Sequence, residues 1–316
     1  MLDIEDNMMN FDYDKDFKSG FVAIIGRPNV GKSTFLNKVV GKKVAIMSDK
    51  PQTTRNKILG IVTKEKYQIA FTDTPGIHKP KTLLGERMVM ASYDATSGVD
   101  AVIFMTTPVK EVLAGDKIIL ENLKKHKIPI YLVINKVDQL KKFNDIDLTI
   151  AIYKDLCDFK GIYPISVLEN KNVDVLINDI VEYLPNGPKF YPDEMISDHD
   201  DKFLISELIR EKILLLTKEE IPHSIACVVD EIKNNLDNDS YIDILATIYC
   251  ERESQKKIII GKNGEMIKNI KNKSINDIKK LLNSKIHLDL WVKVKKDWKD
   301  KSDLLANLGY SKETFK

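Results

Sequence analysis

The sequence predicts two folded domains in series, a doubly wound α/β domain with a mostly parallel sheet and then a smaller α+β domain. Three observations carry this. From Gly20 to Leu184 short apolar runs alternate with polar stretches of helical character. From Leu184 to Pro192 the chain reads LPNGPKFYP, a proline- and glycine-rich composition suited to a joint between domains. Beyond the joint the pattern becomes α-β-β-α-β. The expected boundaries are an acidic N-terminal extension over 1–20, the first domain over 21–184, a linker over 185–202, and the second domain with a C-terminal tail over 203–316.

A chain of 316 residues has room for two such cores. Its apolar content of 43% and charged content of 30% are ordinary for a soluble chain. The longest apolar runs are strand-sized, well short of the ~20 residues a spanning helix needs. The first residues are acidic where a signal peptide is basic and then apolar. Cys157, Cys227 and Cys250 have neither disulfide nor zinc spacing, which fits a reducing cytoplasm and excludes metal-thiolate chemistry. The net charge of +2 hides an asymmetry. Residues 1–20 carry two lysines against six acidic residues, whereas residues 256–301 carry fourteen basic against five acidic ones. Such a block is either a solvated helix face or the footprint of a phosphate-backbone binder.

In the first domain FVAIIG, YQIAFTD, AVIFMTT, IPIYLVIN and GIYPIS read as five strands, apolar and β-branched enough to be buried on both faces. The first runs into Gly26-Arg27-Pro28-Asn29-Val30-Gly31-Lys32-Ser33, which fits GxxxxGK[ST] and opens a helix. In such a loop backbone N–H groups curl around a β-phosphate. Lys32 reaches the β and γ oxygens, and Ser33 offers a hydroxyl to Mg²⁺. The second strand ends in Asp73-Thr74-Pro75-Gly76, followed by Ile77. A carboxylate there lies where α/β sheets place ligands, so Asp73 can hold Mg²⁺. Gly76 can bring its N–H close to a γ-phosphate with no side chain in the way. Asn135-Lys136-Val137-Asp138 ends the fourth strand. The Asp138 carboxylate can accept from N1–H and N2–H₂ of guanine, a donor pair adenine lacks. Lys136 would lie along the base and Asn135 would tie this loop to the phosphate loop. Ser166 and Val167, at the end of the fifth strand, can add a backbone N–H towards the guanine O6. The three motifs in this order make the nucleotide GTP or GDP.

In the second domain FLISELIREKILLLT has helical spacing. SIACVVDEI and DILATIYCE alternate as strands joined by a turn over 234–240, and HLDLWVKVK is a third strand. Gly261-Lys262-Asn263-Gly264 sits between a strand-like isoleucine run and the helix EMIKNI, inside the basic block. Alone such a motif is often just a turn; in KH modules it clamps about four nucleotides of single-stranded backbone, and here Lys262 and the helix N-terminus would meet phosphates, with Lys268 close by. Lys256, Lys257, Lys293, Lys295 and Lys296 widen the footprint. Trp291 and Trp298 are expected in the core in preference to stacking on bases.

The motifs GRPNVGKSTFLN, PQTTR, DTPGIH, NKVD, EIPHS and IIGKNGEMI, in this order from about Phe21 to Tyr310, resemble the Era family of GTPases. The resemblance implies a Ras-like P-loop G domain followed by a type II KH domain. It further implies binding near the 3′ end of 16S rRNA, a role in 30S subunit assembly, and peripheral contact with the membrane surface; slow intrinsic GTP hydrolysis is expected separately, from Ile77 standing after Gly76 with no side chain to orient water. Nothing in the sequence points to a stable protein partner. Three features depart from the family pattern: the acidic first twenty residues, Val167 in place of alanine, and Lys271 in place of a glycine after the GxxG loop. Thr53 and Thr54 fall in the first switch, and Thr54, just before Arg55, is the expected Mg²⁺ ligand. Ile77 stands where other GTPases carry a water-orienting glutamine, and His78 is read as a surface or switch residue. In GTPases similar to this one an asparagine at the position of Asn29 can ligate K⁺ in the place of an arginine finger; the alternative is a hydrogen bond that shapes the loop. Two other readings stay open: an RNA-binding scaffold that needs GTP bound but barely turns it over, and a signalling GTPase whose lysines meet anionic lipid.

Overall fold

The apolar runs of the first domain form a six-stranded sheet because each is short and buried and, β2 and β3 apart, separated from the next by a helix. A computed structural model describes residues 15–50, 52–77, 80–140, 144–235 and 241–311. Residues 1–14 of the acidic extension, Pro51, His78, residues 236–240 of the expected turn and the end of the tail lie outside them. The order is β1 (Lys18–Gly26), α1 (Lys32–Val40), β2 (Ile58–Thr63), β3 (Tyr67–Asp73), α2 (Leu83–Asp94), β4 (Ala101–Thr106) and α3 (Ala114–Leu123). It continues with β5 (Ile130–Ile134), α4 (Asn144–Lys154), β6 (Gly161–Pro164) and α5 (Val173–Tyr183). The strands lie in the order β2-β3-β1-β4-β5-β6, all parallel except β2. α1 and α5 cover one face, α3 and α4 the other. Every residue of β4 is buried, as a central strand between two helical layers requires.

β2 is a sixth strand that the sequence pattern does not announce. Its run ILGIVT carries a central glycine, which weakens a strand signal. Packing explains that glycine: a Cβ on Gly60 would lie 2.5 Å from Leu36 Cδ1 and 2.9 Å from Val40 Cγ2 of α1. β1 also begins earlier than expected, so Lys18–Gly20 of the acidic stretch are already sheet.

The joint after Leu184 is strapped to the first domain. Asn186 bridges to Lys18, and the Gly187 N–H donates to Phe17 O at 2.9 Å. The buried Gln68 amide imitates a strand, its oxygen accepting from Phe190 N (2.7 Å) and Tyr191 N (2.9 Å) while its NH₂ donates to Tyr191 O (2.8 Å). Further on, the Ile61 N–H donates to Ile196 O at 2.9 Å, which uses part of the open edge of β2.

The second domain comprises α6 (Asp201–Leu216), α7 (Ile221–Ser224), β7 (Ala226–Asn234), β8 (Tyr241–Cys250), α8 (Glu253–Ile260), α9 (Glu265–Leu282), β9 (Lys285–Val294) and α10 (Ser302–Asn307). β7 pairs antiparallel and β9 parallel with β8. Helices α6 and α9 bury their apolar stripes against one sheet face. The α9 stripe runs Ile267, Ile270, Ser274, Ile278, the three-and-four spacing of one helix face. The isoleucine run before Gly261 is helix α8, where a strand was expected. Gln255 fixes its start by accepting from Glu251 N (2.9 Å) and Arg252 N (3.0 Å), and a run of three apolar residues does not itself distinguish the two states. Among the described residues no helix is long and apolar enough to cross a membrane.

Candidate functional site

Three loops at the carboxyl ends of β1, β3 and β5 converge on one cleft. Gly26 and Gly31 permit the first to exist: a Cβ on Gly26 would sit 2.3 Å from Met105 O, and Gly31 adopts φ 108 with Asn135 Nδ2 2.2 Å from where its Cβ would be. Asn29 also takes a left-handed φ of 64. The Lys32 ammonium folds back onto Gly26 O (3.1 Å) and Arg27 O (3.0 Å). Val30 is buried, and Pro28 packs on Gly76, whose own Cβ would strike Pro28 N at 2.6 Å. The Arg27 side chain turns away from the cleft to pair with the buried Asp116 of α3 at 2.8 Å, so only its backbone serves the loop.

Ser33, Thr54 and Asp73 meet at the cleft floor. Ser33 Oγ lies 2.6 Å from Asp73 Oδ2 and 2.9 Å from Thr54 Oγ1, and Thr54 Oγ1 is 3.4 Å from the same carboxylate oxygen. Asp73 is fully buried and its other oxygen, Oδ1, has no hydrogen-bond partner among the described residues. Burial pushes the Asp73 carboxyl above the usual range, against the pull of Lys32 and the hydroxyl hydrogen bonds. Burial likewise pushes the Lys32 ammonium below its usual value, with Asp73 opposing. Two hydroxyls and a carboxylate with an unpaired buried oxygen are the hard-oxygen donors a Mg²⁺ ion takes, and the buried ammonium wants an anion. The residues present therefore fit both. Thr53, the other switch threonine, is occupied differently, its hydroxyl donating to Lys50 O at 2.6 Å.

Thr74 is anchored by its hydroxyl to Ile24 O at 2.9 Å, and Pro75 O accepts from Ser92 Oγ at 2.8 Å. Ile77 buries its side chain in the core beside Ala23 and Ile25, so only its backbone can face a phosphate. At the base end, the Asn135 amide donates to Val30 O at 2.9 Å and its oxygen accepts the Val167 N–H at 3.2 Å. Asn135 thus ties the phosphate loop to both base loops, and a guanine O6 would compete with it for the Val167 N–H. The Ser166 N–H is used by Lys171 O. Lys136, with φ 66, lines the cleft, and Val137 and Asp138 lie in the 3-10 turn beyond it. Asp138 has no partner among the described residues.

The segment expected to be the first switch reaches into the second domain, which no local pattern in the sequence indicates. Arg55 is buried, donating to Ile225 O (2.5 Å) and Pro222 O (3.2 Å), with the Trp298 and Tyr310 rings each within 6 Å. Arg210 of α6 is fully buried, holds Glu207, and donates to Thr53 O. Leu84, Met88 and Ala91 of α2 pack on Trp298, Leu305, Leu308 and Tyr310. Trp298 is core as expected, its indole N–H donating to Ser224 O at 3.1 Å, whereas Trp291 is 60% exposed on β9. That second tryptophan corrects the expectation: its position on β9 alternates with buried Val292 and faces away from the helices.

The loop Gly261–Gly264 is held in its shape by glycine. Gly261 has φ 76 with Met266 Cβ 2.7 Å from its missing Cβ, Asn263 has φ 52, and Gly264, at φ 78, precedes α9 with no side-chain cap. Lys262, Asn263 and Lys268 are exposed around the α9 N-terminus. Lys271 is clear of this loop, paired with Asp289 of β9 at 3.1 Å.

Comparison with known proteins adds the following. Residues 21–136 match the family model described as a 50S ribosome-binding GTPase, and residues 220–299 match a KH domain. The chain is 51% identical over 295 residues to GTPase Era of Staphylococcus haemolyticus, covering 93% of this chain and 98% of that protein. A tyrosine-to-alanine variant of Aquifex aeolicus Era bound to GDP and AlF₄⁻ superposes with a TM-score of 0.90 at 38% identity, covering 93% of this chain and all of that one. Era in complex with MgGDPNP and nucleotides 1506–1542 of 16S ribosomal RNA also gives 0.90 at 38% identity, with 93% and 99% covered.

Proposed function

The chain belongs to the Era family of GTPases, and from that premise we propose that it uses GTP binding and hydrolysis to control its hold on the 3′-end region of 16S rRNA during 30S subunit assembly. One observation above the others supports the reading: the segment Thr53–Arg55 has its middle hydroxyl on the Ser33–Asp73 pair and both neighbours held by the KH domain. Nucleotide state and KH placement therefore share one piece of backbone.

In this reading Lys32 and the N–H groups of the phosphate loop hold the β- and γ-phosphates, and Gly76 gives a close N–H to the γ-phosphate. Ser33, Thr54 and Asp73 hold Mg²⁺, which when bound offsets the charge on the phosphate oxygens. Asp138 selects guanine. With Ile77 committed to the core, no glutamine orients water at that place, so intrinsic hydrolysis is slow. Asn29 offers its side-chain oxygen to K⁺ at the cleft mouth; its amide meanwhile donates to Asp49 O at 2.6 Å, bringing a second oxygen to the same place. The GxxG loop and the α9 N-terminus, with Lys262 and Lys268, clamp single-stranded backbone. The solved Era complex with a 16S fragment is the analogy for the RNA's identity.

Crosslinking in cells followed by sequencing of the bound RNA tests this. Reads concentrated at the 16S 3′ end, and lost with Lys262→Asp, are expected. Reads spread over unrelated RNAs, or association with membranes alone, would remove the rRNA assignment.

A further inference from the structure

Helix α6 touches the first switch at two places with consecutive residues. Glu211 Oε1 accepts the Met47 N–H at 2.9 Å, where the switch begins. Arg210, the residue before it, donates to Thr53 O, next to the Mg²⁺-ligand candidate Thr54. Each is itself fixed: Arg210 by two bonds to Glu207 (2.7 and 2.5 Å), Glu211 by Lys43 (2.6 Å) and Lys212 (2.6 Å). Lys43 and Lys212 both reach Asp277 of α9 as well, so the contact is braced by the KH core. Leu215, one turn on, borders the cleft beside Met47. A KH helix thus brackets residues 47–53 from outside the G domain.

We infer that Arg210 and Glu211 are positioning residues for Thr54, holding the switch closed in cis and thereby raising the preference of this protein for GTP over GDP. The physical argument is linkage. Thr54 is useful to the nucleotide only when a γ-phosphate and its metal are present. A contact that favours the closed switch therefore adds to GTP affinity and not to GDP affinity. The inference rests on the proposed role of Thr54, and its test must separate the two.

The experiment measures dissociation constants of full-length protein for GDP and for the β,γ-imido analogue of GTP with Mg²⁺. The variants are Glu211→Ala, Glu211→Gln, Lys43→Met and Thr54→Ala. Losing the charge-assisted bond to Met47 in Glu211→Ala is expected to weaken the GTP analogue about tenfold while changing GDP less than about twofold. Glu211→Gln keeps an acceptor for the Met47 N–H and recovers part of the loss, which a general packing defect would not allow. Lys43→Met leaves both domain cores untouched and shifts the ratio in the same direction by less. Equal weakening of both nucleotides, or an unchanged ratio in both Glu211→Ala and Lys43→Met, overturns the inference. If Thr54→Ala leaves the Mg²⁺-dependent affinity for the analogue intact, the assignment of Thr54 has failed instead.

Discussion

In the proposed reading guanine selectivity rests on one carboxylate. Asp138 stands in the turn after β5 with no protein partner among the described residues, so both oxygens are open to two donors on a base edge. Asp138→Asn replaces one acceptor with a donor, which faces the guanine amino group but matches the xanthine carbonyl. A mispaired polar contact in a closed site costs about 1–3 kcal/mol, so GTP affinity is expected to fall roughly 10- to 100-fold while xanthosine triphosphate gains. Competition binding of the two nucleotides measures this, and unchanged GTP affinity removes Asp138 from the base site. At the other end of the cleft, Asn29 has two roles to be separated. If its oxygen holds K⁺, hydrolysis should be at least about tenfold faster in potassium than in sodium, a fraction of what an arginine finger gives. Asn29→Ala should then abolish the difference. If the Asp49 bond alone matters, the variant slows hydrolysis equally in both salts.

At the level of elements, the parallel strands were legible because burial on both faces leaves an unbroken apolar run. The nucleotide loops were legible because GKS, DTPG and NKVD keep fixed places at strand ends. β2 was hidden by Gly60, whose absence of side chain is dictated by α1, and α8 by an isoleucine run that suits either state. The interface was hidden for a different reason: Arg55 and its acceptor Ile225 are 170 residues apart, and no local pattern encodes which two surfaces meet. The charges within α6 were the available signal. Glu207, Arg210 and Glu211 recur at three- and four-residue spacing in an otherwise apolar helix, and charges so placed and buried need partners. The short helix α7 contributes a pH response at the same interface. Burial first, then the positive charges of Arg55, Lys299 and Lys50, push the His223 imidazole below its usual 6.5. A base whose folded value is lowered contributes stability that is complete above 6.5 and declines as pH falls from there through the lowered value. The melting temperature of the full chain should therefore drop between pH 7.5 and 5.5. His223→Gln should flatten that part of the profile, and an unaltered slope would place the effect elsewhere.

Across the whole molecule, the two domains meet through both switch regions and through a linker that is not a free tether. Gln68 and Ile61 hold the strap over residues 190–196, and His199 Nε2 lies 2.9 Å from Lys57 O, two residues past Arg55. α2, which follows the DTPG loop, is clamped as well, Arg87 bonding Tyr310 O and Ser302 Oγ (2.8 Å). In the proposed reading a γ-phosphate that draws in Thr54 and Gly76 acts on the same segments on which Trp298, Tyr310 and α6 rest. The expectation is that the KH domain then docks differently and that its GxxG loop is uncovered or blocked according to the nucleotide. Reciprocity fixes the other half of the argument: the factor by which GTP alters RNA affinity is the factor by which RNA alters GTP affinity. Couplings of this kind are about 1–3 kcal/mol, or roughly 5–150-fold. The expected sign is tighter RNA binding in the GTP form. Affinity for a 16S 3′-end oligonucleotide should be measured with GDP and with the imido analogue at one salt concentration, because phosphate contacts make it salt-dependent. Lys262→Asp, far from the cleft, should weaken RNA in both states and leave nucleotide affinity without RNA unchanged. Equal RNA affinity in the two nucleotide states would mean that the shared backbone at Thr53–Arg55 joins the domains mechanically without coupling their ligands.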